Sequence, residues 1–77
     1  MKELLVEIVN ELVDDKDAIS VTVDEPNEED ITVYHLSVAQ DDMGRVIGKQ
    51  GRIAKAIRTI MRAAAGKKNQ KIMVEID

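Results

Sequence analysis

The sequence predicts an α+β fold: a three-stranded mixed sheet covered by helices on one face, in the order α-β-β-α-α-β. Three observations carry this reading. Apolar residues recur at helical spacing at the start of the chain and again beyond residue 52. Between them, two short segments alternate apolar with polar residues, and a third such segment closes the chain. A pair of glycines, Gly48 and Gly51, interrupts the second helical pattern. Seventy-seven residues make one small domain, 1–77.

The first element is a helix over 2–14. Leu4, Leu5, Ile8, Val9, Leu12 and Val13 form its apolar side and Glu3, Glu7 and Glu11 its polar side. Asp14 and Asp15 oppose the helix dipole and place the end there. Residues 18–24 set Ile19, Val21 and Val23 against Ser20, Thr22 and Asp24, the pattern of a half-buried strand. The acidic turn 25–30 contains Pro26, which blocks continuation. Residues 31–39 form the second strand, with Tyr34, Leu36 and Val38 on one face and Ile31, Val33 and His35 on the other. The short connection makes the two strands an antiparallel hairpin. Asp41 or Asp42 is placed to cap a short helix over 43–47. A long helix runs over 52–65, with Gly66 as its stop. The basic loop 67–70 leads to a closing strand over 72–76. Joined to the second strand through helices, this strand is expected to run parallel to it.

Charge is divided unevenly. Residues 1–42 hold two lysines against thirteen acids, and residues 43–77 hold nine cations against two acids. Six of those nine fall between Arg45 and Arg62 with no acid among them. The net charge of −4 therefore hides a basic half that suits nucleic acid. The chain has no cysteine and one histidine, so neither disulfides nor a His/Cys metal site is expected. His35 has no nucleophile or carboxylate pair placed to work with it, and no enzyme, cofactor or small-molecule substrate is implied. No apolar run is long enough for a signal peptide or membrane span, which makes the cytoplasm the default compartment.

The candidate site is the stretch from Arg45 through Val46, Ile47, Gly48, Lys49, Gln50, Gly51 and Arg52 to Lys55. Glycine lets the chain turn sharply and lets a bulky group approach the backbone. The helix that follows begins with unpaired N–H groups and the positive end of its dipole, a setting that favours an anion. Lys49 adds a full charge. A nucleotide P-loop is a poor fit, because Gly44 to Gly48-Lys49 is one residue short and Gln50 stands where a Ser or Thr would ligate magnesium.

Val46-Ile47-Gly48-Lys49-Gln50-Gly51 followed by a basic helix resembles the GXXG signature of the KH domain. The element order resembles its type II arrangement, and the whole chain looks closest to the small single-KH bacterial RNA-binding proteins (KhpA-like). One departure is Ala54, where the general pattern has a long aliphatic residue and this chain has Ile53 one place early. The resemblance implies a loop that clamps the backbone of about four nucleotides. It implies a post-transcriptional regulatory or RNA-chaperone role, and a larger KH-containing protein as partner. Single-stranded RNA is favoured over duplex DNA, because the long helix must pack on the sheet and is not free to enter a groove. Tyr34 is the only aromatic residue, so bases are expected to lie on aliphatics such as Val46 and Ile47 rather than on rings. Lys67, Lys68 and Lys71 are candidate secondary contacts. The competing reading is a protein-interaction adaptor with a vestigial KH loop.

On the long helix, Ile53, Ile57, Ile60 and Ala64 form the expected sheet-facing stripe, flanked by Ala54, Met61 and Ala65 on one side and Ala56 and Ala63 on the other. This arc of roughly 180° is wider than the ~100° a surface helix needs to sit on a sheet. A core of this size supplies no more than about 3–5 kcal/mol. The surplus is therefore expected to pack against a second copy in a homodimer, through Ala54, Met61 and Ala65 or through Ala56 and Ala63.

Overall fold

The computed structural model describes residues 1–76. The elements are α1 (Lys2–Asn10), β1 (Ser20–Val23), β2 (Ile31–Ser37), α2 (Met43–Ile47), α3 (Arg52–Lys67) and β3 (Lys71–Ile76). Single 3-10 turns lie at Lys16–Ala18, Gln40–Asp42 and Lys49–Gly51. The sheet order is β1-β2-β3, with β1 antiparallel and β3 parallel to the central β2. This is the mixed α+β arrangement expected from the pattern.

Register decides which side chains meet. Val23, Tyr34 and Val74 lie abreast, as do Val21, Leu36 and Ile76. The buried members of these rows, Val21, Tyr34, Leu36 and Val74, join Leu5, Val9, Val46, Ile57 and Met61 in one core beneath the helices. The opposite face carries the row Thr22, His35 and Glu75. There His35 places Nε2 2.7 Å from Asp24 and Nδ1 3.4 Å from Glu75, tying the three strands together at the surface.

Several boundaries differ from expectation. Helix α1 stops at Asn10 rather than 14. The N–H groups of Leu12 and Val13 both turn back to the Val9 carbonyl, and Lys16 Nζ donates to the carbonyls of Asn10 and Val13. That ammonium satisfies orphan carbonyls and complements the dipole where the aspartates cannot. Helix α3 runs through Gly66, and the stop is Asn69, at φ 58°. Asparagine tolerates the left-handed region, and the Gln70 N–H then closes on the Ala65 carbonyl.

The roll of α3 is the main correction. Its buried residues are Ala54, Ile57, Met61 and Ala65, whereas Ile60 is 48% exposed and Ile53 36%. The helix is turned by roughly 75° from the expected setting, reckoned at 100° per residue. Small Ala54 and Ala65 let its backbone approach the sheet, and flexible Met61 fills the space between them. Arg58 is half-buried and donates from Nε to the Val74 carbonyl on β3 at 3.1 Å. Ala54, Met61 and Ala65 therefore belong to the core of this chain and are not available as a dimer surface. The margin left exposed is Ile53, Ala56, Ile60 and Ala63.

Candidate nucleic-acid interface

The loop between α2 and α3 is built from backbone conformations that side chains resist. Gly48 has φ 76° and ψ 176°, Gln50 φ 58° and ψ 26°, and Gly51 φ 75° and ψ 14°. Three positive φ angles within four residues make a tight reversal, closed by the Gly51 N–H donating to the Gly48 carbonyl at 3.2 Å. Gly48 also ends α2, its N–H donating to the Gly44 carbonyl at 2.8 Å.

The two glycines have different reasons to be glycine. A Cβ on Gly48 would lie 2.3 Å from Ile53 Cγ1 and 2.9 Å from the Ile53 backbone nitrogen. Ile53 thus sits directly on Gly48 and locks the loop to the first turn of α3. A Cβ on Gly51 would meet nothing within 4 Å. That open space lies at the N-terminus of α3, where unpaired N–H groups and the helix dipole favour an anion.

The expected site residues divide into two groups. Lys49, Gln50, Arg52 and Lys55 are exposed around the loop. Among the described residues no carboxylate pairs with Lys49, Arg52 or Lys55. Ile47 and Ile53, 38% and 36% exposed, give this surface its apolar floor. Val46 does not share that role: it is fully buried in the core, because the α2 turn directs it under the sheet. Arg45 is ion-paired to Asp14 and lies 3.6 Å from Asp42, so its charge is already matched within the fold. Those carboxylates hold its guanidinium more firmly protonated than usual. Lys67, Lys68 and Lys71 are exposed at the far end of α3.

Asp42, one of the two candidate caps of α2 beside Asp41, plays another part. Its side chain makes no cap hydrogen bond to α2. It is buried, and its two oxygens accept from the backbone N–H groups of Asp14 and Asp15 at 3.2 and 3.0 Å. These bonds hold its carboxyl below the ordinary carboxylate range; burial opposes them, and Arg45 adds to them. Asp42 and Arg45 together clasp the segment after α1 to the helix that carries the loop. Sequence spacing gives no hint of this clasp, because its partners lie 27 and 28 residues apart and are backbone groups. The role of Ile53 had a signal: alanine at the usual long-aliphatic position left the neighbouring isoleucine to cover the glycine.

Among the described residues no group of three His, Asp or Glu is placed to hold a metal ion, and no helix is long and apolar enough to cross a membrane.

A sheet of this topology, with a GXXG reversal between two helices on one of its faces, defines a KH domain of the type II arrangement. Residues 2–76 match the family described as KhpA/KhpB, KH domain, and the chain belongs to that family. It is 53% identical over 76 residues to the RNA-binding protein KhpA of Clostridium acetobutylicum, covering 99% of each chain. It is 52% identical over 77 residues to the RNA-binding protein KhpA of Listeria monocytogenes, covering 99% of this chain and 97% of the relative. The protein of that name from Borreliella burgdorferi is 45% identical over 74 residues, 96% of this chain and 88% of its own. No solved structure matches the chain.

Proposed function

We propose that this chain acts as a single KH domain, 1–77, that binds single-stranded RNA in the cytoplasm and clamps its phosphate backbone at Gly48-Lys49-Gln50-Gly51. The observation that carries the reading is the loop itself: three left-handed residues hold Lys49 and Gln50 outward, with open space at Gly51 before the N-terminus of α3. Relatives about half identical over nearly the whole chain are named RNA-binding proteins. Arg52 and Lys55 supply further phosphate contacts, Ile47 and Ile53 a surface for bases, and Lys67, Lys68 and Lys71 a second basic edge.

One such domain offers a short footprint, so a dimer serves the function by doubling the clamps on one RNA. The margin Ala56, Ile60 and Ala63, further along α3 from the loop, is the surface for it. The role that follows is that of a post-transcriptional regulator or RNA chaperone, with a larger KH-containing protein as an alternative occupant of the same margin. The same exposed margin supports the second reading, an adaptor whose loop binds nothing.

Replacing Lys49 and Gln50 together by Asp separates the two. The exposed loop contributes little to the core, so circular dichroism should remain that of the wild type while RNA binding in a gel shift is lost. Unchanged RNA affinity would leave the adaptor reading.

A further inference from the structure

A recess lies away from the loop, at the C-terminal end of α3. Helix α3 carries the chain about 24 Å away from the glycine loop, at 1.5 Å per residue over its 16 residues. There, a cavity of about 280 Å³ opens between the β1–β2 turn and the α3–β3 turn. Asp30, Thr32, Tyr34, Asn69, Gln70 and Lys71 line it.

Both walls are fixed by local bonds. Asn27 Oδ1 accepts from the N–H groups of Glu29 and Ile31, which sets Asp30 at φ 63°. On the other side, the Asn69 and Gln70 N–H groups close on the carbonyls of Gly66 and Ala65. A recess held open this way loses little freedom when it is filled.

The lining is polar and asymmetric. Asp30 is a pure acceptor, and Asn69 and Gln70 both donate and accept. Tyr34, the one aromatic residue of the chain, is buried in the floor. Lys71 lies at one lip, with exposed Lys67 and Lys68 nearby in sequence, and among the described residues no carboxylate pairs with any of the three. The turn that carries Asp30 on the opposite wall is acidic in sequence, with Glu25, Glu28 and Glu29 in the same segment. A ligand suited to both walls presents N–H donors to Asp30 and an anion to the lysines.

We propose that this recess holds one guanine nucleotide of a bound RNA strand. The base turns its adjacent N1–H and N2–H donors to Asp30 and its acceptor edge to the amides, while its phosphate lies toward Lys71. Guanine fits best because its Watson–Crick edge offers two neighbouring N–H donors to a carboxylate. The acidic turn repels phosphate and so fixes the orientation of the strand. This inference deepens the RNA-binding reading and rests on it, with the recess as a base-reading site beyond the clamp.

The test uses the full chain and uridine decanucleotides carrying one guanine moved from position to position. One position should bind about tenfold more tightly than the all-uridine strand, the discrimination expected of a bidentate contact to a base edge. Amide resonances of Asn69, Gln70 and Lys71 should shift with that strand. Asp30→Asn, which keeps a residue that tolerates positive φ, should flatten the positional profile, whereas Glu28→Gln in the same turn should preserve it. A flat profile in the wild type, or amide shifts confined to residues 48–55, would overturn the proposal. An equal gain with adenine or cytosine in place of guanine would also overturn it. The Lys49→Asp, Gln50→Asp protein keeps the two questions apart. If it binds the all-uridine strand normally, the clamp reading fails, and the guanine scan still judges the recess.

Discussion

The two loop glycines should respond very differently to alanine. At Gly48 the added Cβ meets the Ile53 side chain at 2.3 Å and the Ile53 backbone nitrogen at 2.9 Å. The side chain is partly exposed and can move, but the nitrogen belongs to the first turn of α3 and cannot move without it. The backbone at φ 76°, ψ 176° is also nearly closed to any residue with a Cβ, which adds about 1–3 kcal/mol. Strain and displacement together come to on the order of 3 kcal/mol, taking the contact to cost about as much as an overpacked core position. At Gly51 the Cβ enters open space, and only the left-handed φ of 75° is penalised, by about 1–2 kcal/mol.

A domain of this size loses about 4–8 °C of melting temperature per kcal/mol. Gly51→Ala should therefore melt about 4–16 °C below the wild type and remain folded at room temperature. Gly48→Ala should fall by at least about 12–24 °C, close to the whole stability of a core this small. Melting followed by circular dichroism measures both, and an RNA titration on each variant completes the assay. Gly51→Ala should weaken RNA binding while folded, since its methyl group stands where a phosphate would approach. Equal melting shifts, or a Gly48→Ala protein within a few degrees of the wild type, would refute the claim that Ile53 is seated on Gly48.

Three further outcomes follow. Ile60→Glu should leave the chain folded and convert a dimer to monomer by light scattering, whereas Met61→Glu should unfold the chain by burying an unpaired charge at a cost of several kcal/mol; a wild type that is already monomeric would defeat the homodimer. Phosphate contacts from Lys49, Arg52 and Lys55 should give a slope of about −2 for log affinity against log salt, at ~0.7 per neutralised phosphate, and a slope near zero would remove phosphate as the driving contact. The depressed carboxyl of Asp42 binds its proton less readily folded than unfolded, so its stabilisation is present above the ordinary carboxylate range, near pH 4, and is lost as pH falls through the lower folded value. Asp42→Asn should therefore be less stable at neutral pH and flatter in an acid titration, and parallel acid profiles for the two proteins would contradict the clasp.

Most of the fold was legible because local rules and tertiary packing agree along the chain. Alternation placed β1 and β2, and their joining turn fixed the antiparallel pair. Failures occurred where a distant group decided the outcome. The roll of α3 depends on how closely alanine lets a helix approach a sheet, and on the bond from Arg58 to the Val74 carbonyl across 16 residues. Helical periodicity records the width of an apolar arc but not which half of it faces inward. Helix α1 ended early because Lys16, outside the helix, holds its last carbonyls. In the site, glycine spacing revealed the loop and its charges. The burial of Val46 and the internal pairing of Arg45 could not be read from neighbours in sequence.

Those two corrections change how the basic half of the chain should be understood. Of the six cations between Arg45 and Arg62, Arg45 is matched by Asp14 and Asp42, and Arg58 is drawn to a strand carbonyl. Both act within the fold: one clasps the segment after α1 to the loop-bearing helix, and the other holds α3 to β3. The charge left for an external anion is concentrated at Lys49, Arg52 and Lys55, around the N-terminus of α3, with Arg62 further along the same helix. The acidic half is partly consumed in the same way, since Asp42 and Asp14 neutralise an arginine that would otherwise add to the basic surface. A chain of net charge −4 can thus present a small, well-defined positive site. Its affinity for a polyanion rests on the placement of a few cations around one loop rather than on overall attraction, because at physiological salt only charges within about 8 Å act strongly on a phosphate.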